Sequence, residues 1–278
     1  MDSKNNKIDV LDHGFVRLID VMGDDASIVQ SARVSYGKGT KTVNEDRGLI
    51  RYLMRNRHTS PLEMGEVKLH WRLPIFVARQ AVRHRTAQIN EYSARYSIMS
   101  DDFYLPALER VQGQSKSNKQ GSEDIDLPPE AKNEVLDIIR RNGQQQYADY
   151  QRLLEIGVSR ELARVVLGTF FYTEWYLKIN LHNLFHFLHL RMDAHAQYEI
   201  RVYADAIYKL VQPHFPLCFE AFDDYRRKAT SLSSEEFEII KDVLKQFPDA
   251  RHVMEARLKE DEKLSPREKK EIKEKFIL

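Results

Sequence analysis

Residues 83–96, RHRTAQINEYSARY, gather Arg83, Arg85 and Arg95 with His84, Asn90, Glu91 and Ser93 beside the apolar run 74–82. A planar guanidinium offers paired donors that match a phosphate or the carbonyl and ring-nitrogen edge of a heterocycle. Gln80, Asn90, Glu91 and Ser93 add hydrogen-bonding groups that could read a base. The alternative for the same residues is a surface salt-bridge cluster with Glu91 and other acids. Two further arginines stand beside core positions: Arg164 in RELARVVL, and Arg191 at the end of an otherwise apolar, histidine-rich helix. Each needs an acceptor, and helix-end carbonyls could satisfy Arg191.

A second constellation is His182, His186 and His189, at i, i+4 and i+7 on one helical face, with His195 beyond. Two imidazoles at i and i+4 can ligate one metal, but no HExxH glutamate or other carboxylate stands nearby. Stacking and hydrogen bonding to a cofactor, or burial as satisfied core histidines, are the alternatives. The single cysteine, Cys218, lies in apolar HFPLCFEAF and reads as a buried hydrophobe. Gly37, Lys38, Gly39 and Thr40 form a partial glycine cluster without the third glycine or the strand-to-helix setting of a dinucleotide fingerprint. There is neither a Walker A loop nor a GxSxG elbow.

The elements that must position these groups follow from periodicity. Residues 15–22 read as a strand, 25–35 as a helix started by acidic residues, and 43–57 as a second helix. Residues 66–73 alternate with period two, as a half-buried strand does, and Pro74 suits the first turn of a helix over PIFVARQAVRHR. On that helix Gln80, Arg83 and His84 would share one face. Residues 111–129 turn polar and read as a flexible loop. Helix resumes over 131–156 with a break expected near Gly143, and Ser159 would cap the next helix. Residues 170–179 fit either a strand or a buried helix. Asn180 is placed to cap the histidine helix, and 194–211 is amphipathic. From 225 onward charge rises and apolar content falls, as in one or two solvated helices outside the core.

Composition bounds the function. The 278 residues can bury a real core, and 43 Lys+Arg against 42 Asp+Glu set up no global field for nucleic acid or an anionic membrane. No apolar run approaches the roughly 20 residues that span a bilayer, and the polar N-terminus lacks a secretory h-region. The chain reads as soluble and cytoplasmic, with any polyanion bound locally. One cysteine excludes an internal disulfide and a multi-cysteine metal site.

The stretch RHRTAQINEYSARY resembles the RHR-x7-S signature of the flavin-dependent thymidylate synthases. Three more blocks match in order: His58 to Glu63 (HTSPLE), RELARVVL around Arg164, and the run from Asn180 through LHNLFHFLHLRMDAHAQYE. Together they span about residues 8–222 and leave out 111–129 and the tail. The resemblance implies reductive methylation of dUMP to dTMP, with methylenetetrahydrofolate giving the carbon and NADPH the hydride through FAD. It implies an α/β (α+β) catalytic domain over 1–224 with a charged helical extension over 225–278, and a homotetramer whose subunits share active sites.

Carried over by position, Gln80, Arg83, Glu91, Ser93, Ala94, Arg95, Arg164 and Arg191 would surround dUMP. Ser60, Arg83, His84, Arg85, Asn90, Glu91, Asn180, His182 and His186 would hold FAD, and His58 would stand where folate or nicotinamide reaches the flavin. Arg191 would stabilise charge pushed onto the uracil ring. Ser93 is the candidate nucleophile, with no base beside it in sequence. No metal is implied. The chain departs from common family patterns at Ser60 (often threonine), Ala94 (glycine), His182 (arginine) and His186 (asparagine).

Overall fold

The computed structural model describes residues 6–34, 43–116 and 122–276. Strands β1 (Lys7–Val10), β2 (Gly14–Met22), β3 (Glu66–Pro74), β4 (Gln88–Glu91) and β7 (Tyr172–Asn180) form one antiparallel sheet in the order β1-β2-β3-β7-β4. β3 and β7 pair along their whole length, Glu66 opposite Asn180 and Pro74 opposite Tyr172. Alternation then sends Val67, Leu69, Trp71 and Leu73 to one face together with Trp175, Leu177 and Ile179, all of them buried. The 170–179 run is therefore a strand, and its alternation is what a sheet covered on one face requires.

Helices cover that face. They are α1 (Asp25–Arg33), α2 (Val43–Arg55), α3 (Ile75–Ala81), α6 (Leu181–Arg191), α7 (Tyr198–Val211) and α8 (Pro216–Phe222), while the long α4 (Pro129–Glu155) and short α5 (Arg160–Ala163) form a separate small cluster. Trp71 packs on Tyr203 of α7 and Phe187 of α6, and Phe185 stacks on Phe222 at 4.6 Å. Gly14 is required where α7 meets the sheet, because a Cβ there would lie 1.9 Å from the Tyr203 hydroxyl. Cys218 is fully buried, and the Asp25 carboxylate accepts the Leu217 and Cys218 N–H groups at 2.7 and 3.0 Å.

Several elements differ from the sequence expectation. α4 runs unbroken through Gly143, whose missing side chain admits the ring of Phe103; a Cβ would sit 2.6 Å from it. The helix thus needs glycine for packing and not for a break. The 111–129 stretch carries β5 (Gln112–Gln114) and β6 (Ser122–Asp126), paired antiparallel, with 117–121 outside the described residues. Gly37 to Thr40, and the expected end of α1 at Ser35, also lie outside them. Ser159 precedes α5 without a side-chain capping bond, whereas Asn180 caps α6 by accepting the Asn183 N–H at 2.9 Å.

The chain divides after Arg227. The C-terminal unit holds three helices, α9 (Ser234–Gln246), α10 (Pro248–Glu260) and α11 (Pro266–Phe276). Pro248 and Pro266 each begin a helix, where the missing N–H costs nothing, and so cut the charged stretch into one more helix than periodicity suggests. Ser233 and Glu236 form a capping box on α9, and Phe237 meets Phe276 at 5.1 Å. Among the described residues no helix is long and apolar enough to cross a membrane.

Candidate functional site

The RHR stretch is a tight turn, not a helix end. α3 stops at Ala81, and the Arg83 and His84 N–H groups reach back to the Gln80 and Ala81 carbonyls at 3.3 and 3.1 Å. This corrects the expectation of one helical face shared by Gln80, Arg83 and His84. The turn points Arg83 and Arg85 to solvent and folds His84 inward. Among the described residues, neither Arg83 nor Arg85 forms an ion pair.

His84 meets the last turn of α6. Arg191 donates its Nε–H to His84 Nε2 at 3.1 Å and an Nη2–H to the Gln80 carbonyl at 3.5 Å. The acceptors of Arg191 are thus a side chain and the carbonyl of another helix, not the carbonyls ending its own. His84 also lies edge-on to Phe187 at 4.9 Å and 5.6 Å from the His186 ring. Burial, reinforced by the Arg191 charge and then by His186, pushes the His84 imidazole down to about 4. It is therefore neutral near pH 7, with Nε2 free to accept. The Gln80 side-chain amide bonds Gln197, which in turn bonds Glu199 at 2.8 Å, and Glu199 accepts from the Tyr104 hydroxyl at 3.0 Å.

After the turn, β4 pairs with β7 and delivers Glu91 and Ser93 to a cavity of about 320 Å³. Glu91, Ser93, Ala94, Arg164 and Thr173 line it. The Thr173 hydroxyl donates to Glu91 Oε1 at 2.7 Å, and Thr173 is itself 4% exposed. Ala94 packs with Met99, Tyr150 and Ala163, and the fully buried Tyr150 hydroxyl accepts the Met99 N–H at 3.2 Å. Arg164, which also lines the cavity, opens a 3₁₀ turn after α5 and donates its Nε–H to the Glu161 carbonyl at 3.2 Å. Arg95 pairs with Glu161 at 3.1 Å instead of with Glu91, so the surface cluster around Glu91 does not form. Asn90 is exposed on β4, opposite Tyr176.

A second cavity, of about 260 Å³, has an apolar floor of Leu53, Met54, Leu62 and Phe185 and a cationic rim. His182, His186 and His189 line it from α6, with His58 and Arg57 from the end of α2 and Arg226 from the turn after α8. α2 ends in a Schellman motif, the His58 N–H on the Leu53 carbonyl at 2.9 Å and the Arg57 N–H on the Met54 carbonyl at 3.3 Å. Arg57 holds the left-handed position (φ 58°) that usually belongs to glycine, a strained choice that sets an arginine at this rim. Burial lowers both Arg226, with Arg57 adding to it, and His182, where Glu63 opposes and His186 and Arg226 reinforce the shift. An apolar floor under crowded cations fits a flat ring carrying phosphate. Among the described residues, no three histidine, cysteine or carboxylate groups converge as metal ligands would. Ser60 is exposed at the start of the 3₁₀ turn Ser60–Met64, and Asn180 spends its side-chain oxygen on capping α6.

One chain thus brings Glu91, Ser93, Ala94 and Arg164 to one cavity and His58, His182 and His186 to another. The pair His84–Arg191 adjoins the second through His186. Among the described residues, none lines both cavities. Sequence reasoning missed Thr173, Arg57, Arg226 and Gln197. Only Thr173 carried a signal, as the one hydroxyl on the apolar face of YTEWYLKIN.

Known proteins resemble this chain in sequence and fold. The family model described as thymidylate synthase complementing protein matches residues 17–217. The flavin-dependent thymidylate synthase of Rickettsia bellii is 51% identical over 249 residues, 85% of each chain. That of Gluconobacter oxydans is 54% identical over 236 residues, covering 84% of this chain and 78% of the relative. Among solved structures, the UMP/dUMP methylase PolB from Streptomyces cacaoi bound with 5-Br dUMP is similar with a TM-score of 0.71 and 33% identity, over 79% of this chain and 99% of that one. The fold, the four ordered motifs and these likenesses agree: the chain belongs to the Thy1 family, the flavin-dependent thymidylate synthases.

Proposed function

We propose that this protein converts dUMP to dTMP, taking one carbon from 5,10-methylenetetrahydrofolate and a hydride from NADPH through FAD, and releasing tetrahydrofolate and the C5 proton. The observation that carries this reading is the cavity where Glu91, Ser93 and Arg164 converge beside Thr173, which sets one guanidinium for a phosphate among hydroxyl and carboxylate groups able to bond a nucleoside. The catalytic domain is assigned to residues 1–224 and the extension to 225–278. A cytoplasmic enzyme suits these small anionic substrates.

In this reading Gln80, Arg83, Glu91, Ser93, Ala94, Arg95, Arg164 and Arg191 bind dUMP. Arg164 and the solvent-facing Arg83 are suited to its phosphate. Arg191 faces the pyrimidine edge, where a fixed guanidinium stabilises negative charge on the ring and so makes C5 nucleophilic. The chain's only thiol is buried, and burial, then the Asp25 charge, push it well above the usual thiol range. Polarisation by arginine therefore stands in for thiol addition to the ring. Ser93 holds substrate; the 3.3 Å approach of the Arg95 N–H to its hydroxyl gives it no base. The cavity of His58, His182 and His186 would hold the flavin, with Ser60, Arg83, His84, Arg85, Asn90, Glu91 and Asn180 completing its contacts and His58 at the approach for folate or nicotinamide. Bound FAD supplies hydride transfer; these residues orient it and exclude water.

The separation of the two cavities supports a homotetramer in which neighbouring subunits complete each site. Tyr96, Leu162 and Val165, 74, 61 and 72% exposed beside the nucleotide cavity, form the apolar surface such a neighbour would cover. The test is tritium release from 5-tritiated dUMP by the purified yellow protein, with UMP as a second substrate. Release that depends on flavin, NADPH and methylenetetrahydrofolate is expected. A colourless protein that takes up no FAD and releases no tritium would refute the assignment.

A further inference from the structure

We propose that His84 is a positioning residue for Arg191, its Nε2 fixing one edge of the guanidinium so that the other edge is presented to the pyrimidine. The proposal deepens the methylation reading and rests on it for the role of Arg191. It departs from a role of His84 limited to flavin contact.

The geometry is specific. Arg191 uses Nε and one Nη2 hydrogen on His84 Nε2 and the Gln80 carbonyl, presented by the turn after α3 and by the last turn of α3 itself. The opposite edge, Nη1 with the second Nη2 hydrogen, retains two parallel donors. That is the fork that matches a carbonyl oxygen next to a ring nitrogen. A guanidinium on a flexible stem loses much of its value if it must be ordered at each turnover, and preorganisation removes that cost.

His84 is suited to the task in three ways. It is buried at 9% exposure, it is wedged between Phe187 and His186, and among the described residues no carboxylate acts on it to compete for Arg191 or draw a proton onto the ring. The charged or titratable groups facing it are Arg191 and His186, both on α6, and each disfavours the imidazolium. A protonated His84 would repel Arg191 and have no lone pair on Nε2 to offer. A lysine or arginine at 84 would do the same, whereas glutamine can place an amide oxygen near the Nε2 position.

The experiment compares His84→Phe, His84→Gln, Arg191→Ala and the double variant His84→Phe/Arg191→Ala, each as the flavin-loaded full chain. Flavin content, kcat, KM for dUMP and the ¹⁵N–¹H signal of Arg191 Nε are measured. The expected result is a roughly ten- to hundredfold loss of kcat in His84→Phe, from one lost hydrogen bond to a charged donor. Flavin content, with one contact of many lost, should fall far less than kcat per bound flavin, the Arg191 Nε–H signal should shift, and His84→Gln should recover much of the kcat loss. The double variant should be no slower than Arg191→Ala, because the two residues act as one unit.

A His84→Phe protein within twofold of the parent overturns the proposal. So does one that loses flavin but keeps its turnover per bound flavin, or a double variant whose losses multiply. If His84→Phe does not fold, a His84→Ala protein with the parent's kcat and an unshifted Arg191 Nε–H signal overturns it equally. An active parent whose Arg191 signal ignores residue 84 refutes the positioning role alone. An inactive parent whose signal still depends on His84 refutes the methylation reading alone.

Discussion

Replacing Thr173 with valine tests the nucleotide cavity at its least obvious point. The side chain is 4% exposed and its hydroxyl donates to Glu91 Oε1 at 2.7 Å, whereas the Glu91 carboxylate is otherwise open to solvent. Valine has nearly the same shape, so the variant deletes one donor and little else. A hydrogen bond to a charged acceptor contributes about 1.5–3 kcal/mol where both groups are buried; with Glu91 solvated, about 1 kcal/mol is the reasonable figure. Water can take the place of the hydroxyl on Glu91, so global stability should change by less than about 1 kcal/mol. What is lost is the fixed direction of the carboxylate. If Glu91 contacts dUMP, about 1 kcal/mol lowers kcat/KM for dUMP about fivefold. Thr173→Ser, which keeps the donor, should stay close to the parent. The assay is initial rate against dUMP at saturating NADPH and methylenetetrahydrofolate, with thermal denaturation alongside. An unchanged kcat/KM in Thr173→Val, or an equal fall in Thr173→Ser, would refute the role of this bond.

Gly143→Ala should destabilise the protein by about 1–3 kcal/mol, since the new methyl would press on Phe103 from 2.6 Å; denaturant titration of the variant checks this. Tyr150→Phe removes the buried acceptor of the Met99 N–H and should cost about 1–3 kcal/mol, seen as a lowered Tm. His84 has its folded-state value depressed to about 4 from an ordinary 6.5, so the unfolded chain binds the extra proton between those values. Stability from this group is therefore full above about pH 6.5 and is lost as pH falls toward 4. Denaturation midpoints across that window should drop in the parent and drop less in His84→Gln. Cys218 should resist thiol reagents until the protein unfolds, and Cys218→Ala should retain turnover; rapid labelling of the native protein or an inactive variant would contradict its purely structural place.

Much of the frame was legible because local patterns and tertiary context agree. The period-two alternation of 66–73 produced β3, and the apolar stripe of 43–57 produced α2. Asn180 caps α6 as its type and place suggest. Where sequence reasoning failed, a distant partner decided. Gly143 looks like a helix break until Phe103 is folded against it, forty residues earlier in the chain. The RHR segment continues a helical pattern on paper, but the chain must leave α3 to supply β4 as a partner for β7.

The candidate site divides along the same line. Residue types announced arginines able to bind a nucleotide, yet the acceptor of Arg191 could not be read locally, because His84 lies 107 positions away and the contact exists only once α6 crosses the end of α3. The histidines posed the complementary problem. Their i, i+4, i+7 spacing fits a metal, a cofactor or the core alike, and only the setting of Arg57 and Arg226 around the same cavity favours a phosphate-bearing ring. Arg57 is telling in this respect. A Schellman turn is ordinarily closed by glycine, so an arginine there gives up about 1 kcal/mol of local stability. Such a residue is better explained by what its side chain meets in the cavity than by the turn it closes, and Arg57→Gly should accordingly stabilise the fold while weakening flavin retention.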